Sequence, residues 1–369
     1  MRERSTLERT PALQDVSGLR IGMLAPIAWR TPPVHYGPWE LMASILTERL
    51  VRRGVDVTLF ATADSITSAH LDAVAAHGYT EDPSMDGRVW EALHVARALA
   101  RSAEFDLIHN HLDWLPLAFD AQWRSPLVTT VHGFSGRGIL PAYERSRSAF
   151  VSISNADRAS ALRYTATIPH GIDLDAFPLG PGGDDLVVFS RMHPDKGILD
   201  AIDIAAATGR RLILCGIVQD EAYFRDLVRP RIDDDRVVYL GAVTAEDRPR
   251  VLGAAAALLH PVHFDEPFGL SVAEAMACGT PVVAYARGAM PEVVDAGVTG
   301  ILVDPHADDR ITRAAAAVSD AVVLDRDRVR ARARARFDAD RMVDAYLDVY
   351  RDVATHRGNP RQTVRARAS

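Results

Sequence analysis

Lysine is almost absent from this sequence. Lysine and arginine together number 42 in 369 residues, and because Lys196 is the single lysine, 42 − 1 = 41 of them are arginines. Drift could leave one lysine anywhere, but this one lies in the stretch SRMHPDKG at residues 190–197, between an apolar run and a helical pattern. An ammonium group is a compact point charge that a planar guanidinium does not replace. Lys196 is therefore a candidate for a specific function.

Cysteines and long apolar runs are scarce as well. Cys215 and Cys278 lie in apolar surroundings, which indicates small buried residues in a reducing compartment and not a disulfide framework. No apolar run reaches the roughly 18 residues of a transmembrane helix, and the N-terminus lacks the apolar segment of a signal peptide. These absences predict a cytoplasmic protein.

Basic residues are outnumbered by acidic ones. The net charge of −7 argues against nucleic-acid binding. Residues 325–341 interleave arginine with aspartate and alanine, so we predict a solvated helix there. The tail at 356–369 has four arginines and no acid. We expect it to be disordered, and it could contact anionic lipid or substrate.

Apolar strands alternate with amphipathic helices along the chain. The pattern starts with a strand at residues 20–25 and a helix that Pro38 would begin and Gly54 would end. It starts again with a strand at 185–191, after a glycine-rich stretch at 180–183 that is typical of a linker. Such alternation predicts parallel sheets covered by helices on both faces.

The clearest motif is DEPFGLSVAEAMACGTP at residues 265–281. Glu266 and Glu274 lie eight positions apart, and a glycine-containing turn and a helix start lie between them. Ser271, three residues before Glu274, predicts a capping box. The free N–H groups of a helix N-terminus suit an anion such as diphosphate, and Gly269 would let the backbone approach it.

This motif resembles the signature of glycosyltransferase family 4, the retaining GT-B transferases that use nucleotide-sugar donors. The shared pattern is Glu, seven residues and Glu, within EPFGLSVAEAMACGTPVVA, where the flanking residues match as well as the acids. The alternative interpretation is a capped helix in an α/β core. The resemblance implies an α/β GT-B fold, in which two Rossmann-like domains with parallel sheets face each other across a cleft.

The resemblance also sets the expected domain organisation. We predict a flexible N-terminal extension at 1–18, an acceptor-binding domain at 19–170, a nucleotide-sugar-binding domain at 171–341, a helix at about 342–355 that packs back onto the first domain, and a disordered basic tail at 356–369.

Several residues acquire expected roles from the family. Arg191 and Lys196 lie at a strand end and a helix start, so both could face one crevice and neutralise the leaving diphosphate. Glu274 would bind the ribose hydroxyls, and Glu266 would lie near the donor sugar. His132 follows a strand where ligands bind in open α/β sheets. The predicted catalytic residues are Glu266, His132, Arg191 and Lys196. The predicted donor-binding residues are Gly37, Arg191, Lys196, Gly216, Val243, Glu266, Phe268, Gly269, Leu270 and Glu274.

Metal and cofactor sites receive little support from the sequence. His109 and His111 could form a metal pair, but no third ligand follows at a suitable spacing, so packing or cleft lining is the preferred interpretation. No Asp-x-Asp pair follows a strand in the right context. We therefore predict no metal and no cofactor, with Arg191 and Lys196 supplying the positive charge.

The predicted function is a metal-independent, retaining sugar transfer from a UDP-, GDP- or other nucleoside diphosphate sugar to an acceptor hydroxyl. The acceptor could be a glycan, a lipid-linked molecule or a natural product. Trp29, Tyr36, Trp39 and Trp114 could stack on it or belong to the core. The alternatives are an epimerase or phosphorylase on the same fold, or a nucleotide-sugar sensor without catalysis. A phosphorylase would need a lysine for pyridoxal phosphate, and a sensor would have no use for Glu266 and His132.

Overall fold

The computed structural model describes residues 18–133 and 136–356. The predicted N-terminal extension, apart from Gly18, and the predicted basic tail beyond residue 356 lie outside the described residues. Within the described part of the chain, no helix is long and apolar enough to span a membrane.

Seven parallel strands form the first sheet. They are β1 (Arg20–Leu24), β2 (Asp56–Ala61), β3 (His70–Ala73), β4 (Leu107–Asn110), β5 (Leu127–Val131), β6 (Ala149–Ser152) and β7 (Tyr164–Thr167). Their order across the sheet is β3-β2-β1-β4-β5-β6-β7. The helices of this part of the chain are α1 (Pro38–Arg52), α2 (Gly87–Arg101) and α3 (Leu140–Arg145). As predicted, α1 begins at Pro38, and Gly54, with a φ of 81°, follows its end.

Six parallel strands form the second sheet. They are β8 (Leu186–Phe189), β9 (Leu212–Cys215), β10 (Val237–Gly241), β11 (Ala257–His260), β12 (Val282–Tyr285) and β13 (Gly300–Val303), in the order β10-β9-β8-β11-β12-β13. The associated helices are α4 (Ile198–Thr208), α5 (Glu221–Tyr223), α6 (Arg248–Gly253), α7 (Leu270–Ala277), α8 (Met290–Val293), α9 (Arg310–Ala321) and α10 (Arg326–Phe337). The last helix is α11 (Ala339–His356).

The central strands of the second sheet are buried on both faces. Val187 packs in the core on one face, whereas its neighbours Leu186 and Val188 pack in the core on the other. Leu258 and Leu259 in β11 divide between the same two cores. Side chains alternate between the faces of a strand, so apolar residues at consecutive positions require cover on both sides. The predicted α/β architecture of two parallel sheets is confirmed.

Helix α11 returns to the first sheet. Its residues Met342, Val343, Tyr346 and Tyr350 recur at helical spacing and pack in the core that contains β1 and α1. The hydroxyl of Tyr346 contacts that of Thr130 at 2.7 Å, and the hydroxyl of Tyr350 lies 2.7 Å from Nδ1 of His109. Helix α11 therefore also contacts residues at the carboxyl ends of β4 and β5.

Three local predictions differ from the structure. The edge strand β3 was not predicted, because two of its four residues, His70 and Leu71, are exposed and no alternating pattern marks it. The sequence pattern at residues 221–228 predicts one regular helix, whereas the structure has a short α5 followed by a π-helical turn at Phe224–Val228. The capping box at Ser271 is wrong as well, for reasons given by the site below.

The helix predicted at 325–341 ends at Phe337 as α10, and it is solvated on one face and buried on the other. Val329, Ala333 and Phe337 are buried along one face, which packs in the core with α7. Arg326 donates to the carbonyl of Ala255 at 3.0 Å. Other arginines of the helix reach carbonyls as well: Arg330 contacts those of Phe177 and Ala277, and Arg336 contacts that of Val293. The aspartates of this segment suggested a solvent-exposed helix. Several of its guanidinium groups instead donate hydrogen bonds to backbone carbonyls of neighbouring elements.

Candidate active site

A cavity of about 360 Å³ lies between the two sheets. Its walls come from the loop after β1, from the segments after β5 and β7, and from the carboxyl ends of β8, β9, β10 and β11. In open α/β sheets ligands bind at these ends, near the position where the strand order reverses. The cavity volume is in the range of small-molecule sites.

Lys196 forms an ion pair with Glu266 at the centre of this cavity. The Nζ atom lies 2.9 Å from Oε2 of Glu266 and 4.2 Å from the ring centre of Phe264. Both charged side chains are nearly buried, with 11 % and 12 % exposure. Lys196 was predicted to open a helix, but it ends a short 3₁₀ turn at Pro194–Lys196, and α4 begins two residues later.

Glu266 remains ionised despite its burial. Burial alone would raise its pKa, but the nearby His260 ring and the charge of Lys196 outweigh this effect and lower the pKa to about 2. Nε2 of His260 lies 3.5 Å from the carboxylate. The cavity therefore contains a fixed ammonium–carboxylate pair, and a more highly charged anion could compete for the ammonium.

Arg191 brings a second cation to the cavity, as predicted. Its guanidinium contacts the side-chain amide oxygen of Gln219 and lies 3.6 Å from the carboxylate of Asp195. Both Arg191 and Lys196 line the cavity, so the loop after β8 presents two positive groups to one space.

Glu274 has an unexpected partner. Helix α7 begins at Leu270, with Gly269 as its N-cap at a φ of 85°, and no side chain caps it. Glu274 therefore does not return to a capping serine. It accepts a 2.8 Å hydrogen bond from Arg248, a charge-assisted bond that is stronger than a neutral cap. Burial raises the pKa of Glu274, and the charge and hydrogen bond of Arg248 act in the opposite direction.

Arg248 also connects the two sides of the cavity. Its Nη2 atom donates to the carbonyl of His35, in the loop after β1, at 3.3 Å. The guanidinium carbon lies 5.0 Å from the ring centre of Phe189. Sequence reasoning missed this residue, because nothing in the charged stretch at residues 246–250 separates it from surface arginines.

The other predicted catalytic and donor-binding residues are in the same place. Those that line the cavity with the residues above are Gly37, His132, Gly216, Val243, Phe268, Gly269 and Leu270. Of the aromatic candidates, Tyr36 and Trp39 line the cavity, and Trp29 packs edge-on against Tyr36. Trp114 is 42 % exposed and does not line it. The structure therefore brings every predicted site residue together.

Comparisons with known proteins agree with this geometry. A family model described as glycosyl transferases group 1 matches residues 175–336, and one described as glycosyltransferase family 4 matches residues 40–176. A D-inositol 3-phosphate glycosyltransferase of Mycolicibacterium smegmatis is 30% identical, over 86% of this chain and 87% of the relative. The chain belongs to glycosyltransferase family 4.

A further relative supports the family 4 assignment, and a solved structure supports the fold. A D-inositol 3-phosphate glycosyltransferase of Saccharomonospora viridis is 32% identical to the transferase, over 87% of this chain and 91% of the relative. The crystal structure of Anabaena HepE in complex with UDP-glucose is 22% identical, with a TM-score of 0.69 over 90% of this chain and 100% of the other. The GT-B fold predicted from the resemblance is confirmed.

His132 lies in the cavity wall of the transferase, but its ring is already engaged. Its Nε2 lies 2.8 Å from Nδ1 of His111, and its Nδ1 lies 3.3 Å from Nε2 of His170. The ring also stacks on Trp39, with 5.3 Å between centres. His170 was not predicted as a site residue. Among the described residues, no group of three or more His, Cys, Asp or Glu side chains is arranged to hold a metal ion.

The backbone that carries Lys196 leads to a prediction on stability. Gly197 and Gly209 flank α4 in left-handed conformations, with φ values of 64° and 67°. A Cβ on Gly197 would lie 1.8 Å from the carbonyl oxygen of Pro261, whereas one on Gly209 would meet nothing within 4 Å.

We expect Gly197→Ala to lower the free energy of unfolding by about 2–5 kcal/mol, from roughly 1–2 of backbone strain and 1–3 of overpacking. Gly209→Ala is the matched control and should cost about 1–2 kcal/mol, because it carries the strain alone. Denaturant unfolding of both variants measures the difference. Equal losses would contradict the close packing of this turn against the strand end of β11.

Proposed function

We propose that the transferase moves a sugar from a nucleoside diphosphate sugar to an acceptor hydroxyl, with retention of configuration at the anomeric carbon. The observation that supports this best is the meeting of Lys196, Arg191 and the N-terminus of α7 in one cavity. Two cations and free backbone N–H groups form a site for a diphosphate. Glu266, which is ionised and adjacent, is suited to neutral sugar hydroxyls.

The donor diphosphate would compete with Glu266 for Lys196. A diphosphate carries more negative charge than a carboxylate, so the ammonium would be shared between the two groups. The carboxylate oxygen released in this way could accept hydrogen bonds from the donor sugar. Glu266 would also favour the positive charge that develops at the anomeric carbon, because it remains ionised in the cavity.

Glu274 would bind the ribose of the donor. Its carboxylate is 2 % exposed and lies at the end of the cavity that Val243 and Arg248 line. Arg248 uses one carboxylate oxygen, Oε1, which leaves Oε2 for ribose hydroxyls. The turns at Gly216 and Val243 would lie against the base.

The reaction that fits this arrangement takes place on one face of the sugar. The bond between the anomeric carbon and the phosphate oxygen breaks, and its electron pair goes to that oxygen, where Lys196 and Arg191 neutralise the charge. The acceptor oxygen forms the new bond on the same face. Its proton passes to the leaving phosphate, so no separate base is required.

Two relatives suggest which substrates to test first. HepE was crystallised with UDP-glucose, and the mycobacterial relatives are named for transfer to D-inositol 3-phosphate. UDP-sugars are therefore the first donors in a panel that also includes GDP- and ADP-sugars. D-inositol 3-phosphate is the first acceptor beside neutral glycosides and phenols.

The test is the release of nucleoside diphosphate together with the anomeric configuration of the product by NMR. We expect release that depends on an acceptor and a product with the configuration of the donor. Inversion would contradict the retaining mechanism. Tight binding of donors without release in any acceptor mixture would identify a sensor instead.

Metal removal provides a separate prediction. Because Lys196 and Arg191 supply the positive charge at the diphosphate, we expect turnover to change less than about twofold after dialysis against EDTA, compared with the loss of at least 100-fold typical for a removed charge contact. Turnover is measured before and after dialysis, and again with added Mg²⁺ or Mn²⁺ as the control. Loss of activity that either cation restores would contradict metal independence. The cytoplasmic location also stays a prediction.

A further inference from the structure

Four histidine rings form an unbroken line from the cavity into the core of the first sheet. His170 contacts His132 at 3.3 Å, His132 contacts His111 at 2.8 Å, and His111 contacts His109 at 3.3 Å, each through ring nitrogens. His109 lies in β4, and His111 follows the end of that strand. His132 follows β5, and His170 follows β7. The parallel topology therefore brings four distant sequence positions to one sheet edge. All four side chains are buried.

The line ends in a group of hydroxyls beneath α11. Nδ1 of His109 lies 2.7 Å from the hydroxyl of Tyr350, and its Nε2 lies 2.8 Å from the hydroxyl of Thr130. The hydroxyl of Thr130 lies 2.7 Å from that of Tyr346. No ionised carboxylate or cation is among these partners, so the inner end of the line is neutral.

The rings are neutral as well. Burial lowers the pKa of His111 and of His170 to about 3, and it lowers the pKa of His109 and His132 well below the usual value, where repulsion from other rings of the line acts in the same direction. A neutral imidazole has one N–H donor and one lone-pair acceptor. Each contact between two rings needs one of each, so the direction of one contact fixes the direction of all the others. Only two proton arrangements satisfy the whole line.

The hydroxyl of Tyr350 distinguishes the two arrangements. If the rings donate toward the cavity, Nδ1 of His109 carries a proton, and the Tyr350 hydroxyl beside it can only accept. If the rings donate away from the cavity, Nδ1 of His109 is an acceptor for Tyr350, and its Nε2–H donates to Thr130. The second arrangement gives the proton of the buried phenol an acceptor. Nδ1 of His109 then receives two donors, the Tyr350 hydroxyl at 2.7 Å and, more weakly, the Nε2–H of His111 at 3.3 Å.

We propose that His109, His111 and His170 are positioning residues that hold His132 as the neutral tautomer with its proton on Nε2 and its Nδ1 accepting from His170. The tautomer follows from the contacts alone, and its importance for sugar transfer rests on the proposed function. Both ring nitrogens of His132 are then used inside the protein. The ring presents its face and carbon edge to the cavity and does not exchange a proton with the substrates.

This fixed ring would set the shape of the sugar end of the site. His132 stacks on Trp39 from α1, and His170 packs edge-on against Phe268, with 5.1 Å between ring centres. Phe268 belongs to the turn between Glu266 and α7. The line of histidines therefore connects the first sheet to the segment that carries Glu266. The titratable groups packed against it are Tyr346 and Tyr350, and Glu266, Lys196 and Arg191 face the same cavity from the second sheet.

The experiment is long-range ¹H–¹⁵N NMR of the full chain labelled at histidine nitrogens. In the wild-type protein we expect His132 to show a protonated Nε2 and an unprotonated Nδ1 between about pH 6 and 8, where an ordinary histidine with a pKa near 6.5 changes charge. A His132 ring that is protonated at Nδ1, or charged, in this range would overturn the proposal. The spectrum requires no turnover, so it decides the tautomer even if sugar transfer is not found.

Two variants at position 111 test the positioning role. His111→Asn keeps an oxygen that can accept from Nε2–H of His132, whereas His111→Leu has none. We expect His111→Leu to mix the tautomers of His132 and to lower kcat about 10-fold, with a smaller change in KM for the donor. His111→Asn should keep most of the single tautomer of His132 and most of the wild-type kcat. If His111→Leu does not fold, the wild-type spectrum and His111→Asn remain as tests. A folded His111→Leu variant with an unchanged tautomer and kcat would contradict the proposal.

Discussion

Replacing Lys196 by alanine is expected to lower turnover at least about 100-fold, the size typical for a group that stabilises transition-state charge. The ammonium lines the cavity and would neutralise the departing diphosphate. The variant also leaves the buried carboxylate of Glu266 with the His260 ring, whose Nε2 lies 3.5 Å away, as its remaining neighbour of opposite character. Without the charge of Lys196 the pKa of Glu266 rises, and its charge becomes less available to the sugar.

The conservative variant makes this prediction sharper. Lys196→Arg keeps the charge, but the larger planar group must fit between Phe264 and Glu266, where the ammonium now lies 4.2 Å from the ring and 2.9 Å from the oxygen. We expect it to recover only part of the lost activity. Arg313→Ala is the control, because it removes one positive charge from an exposed ion pair on α9. Steady-state kinetics in which Lys196→Ala behaves like Arg313→Ala would contradict the assignment.

The second large effect is expected in donor binding. Glu274→Ala removes the acceptor for the ribose hydroxyls and should weaken donor affinity about 10- to 100-fold, since hydrogen bonds to charged groups contribute roughly 1.5–3 kcal/mol each. It also leaves the guanidinium of Arg248 without its buried partner, which should lower the free energy of unfolding by about 3 kcal/mol. Titration calorimetry and denaturant unfolding measure the two effects separately.

A double variant distinguishes binding from stability. Glu274→Ala with Arg248→Leu removes both charges, so most of the stability should return, because no unpaired charge stays buried. Donor affinity should not return, since the carboxylate is still missing. Glu246→Ala, at an exposed position of the segment before α6, is the control for both measurements. Normal donor affinity in Glu274→Ala would contradict the ribose role.

The fold was largely predictable because its signals are local. Consecutive apolar residues such as Val187 and Val188 require cover on both faces of the sheet, and Pro38 and Gly54 mark the limits of α1. The resemblance of the motif around Glu266 predicted residues that line one cavity in the structure. Strand β3, which was not predicted, has no such pattern. The capping box failed because Gly269 takes the left-handed conformation that begins α7 and Arg248 takes the carboxylate.

The contacts within the site were not predictable in the same way. The pair of Lys196 and Glu266 is separated by 70 positions and exists because β8 and β11 are neighbours in the sheet. The line of histidines needs the order β4-β5-β6-β7 and the return of α11 beneath it. Single sequence positions carry no information about such neighbours until the strand order is known. For this reason His170 and Arg248 were found only in the structure.

The most direct test of the account is a crystal structure with the nucleoside diphosphate that the donor panel identifies. The account predicts the diphosphate within hydrogen-bond distance of Lys196 and of the backbone N–H groups at Gly269 and Leu270, with the ribose at Glu274. A diphosphate bound away from Lys196 and the start of α7 would contradict it.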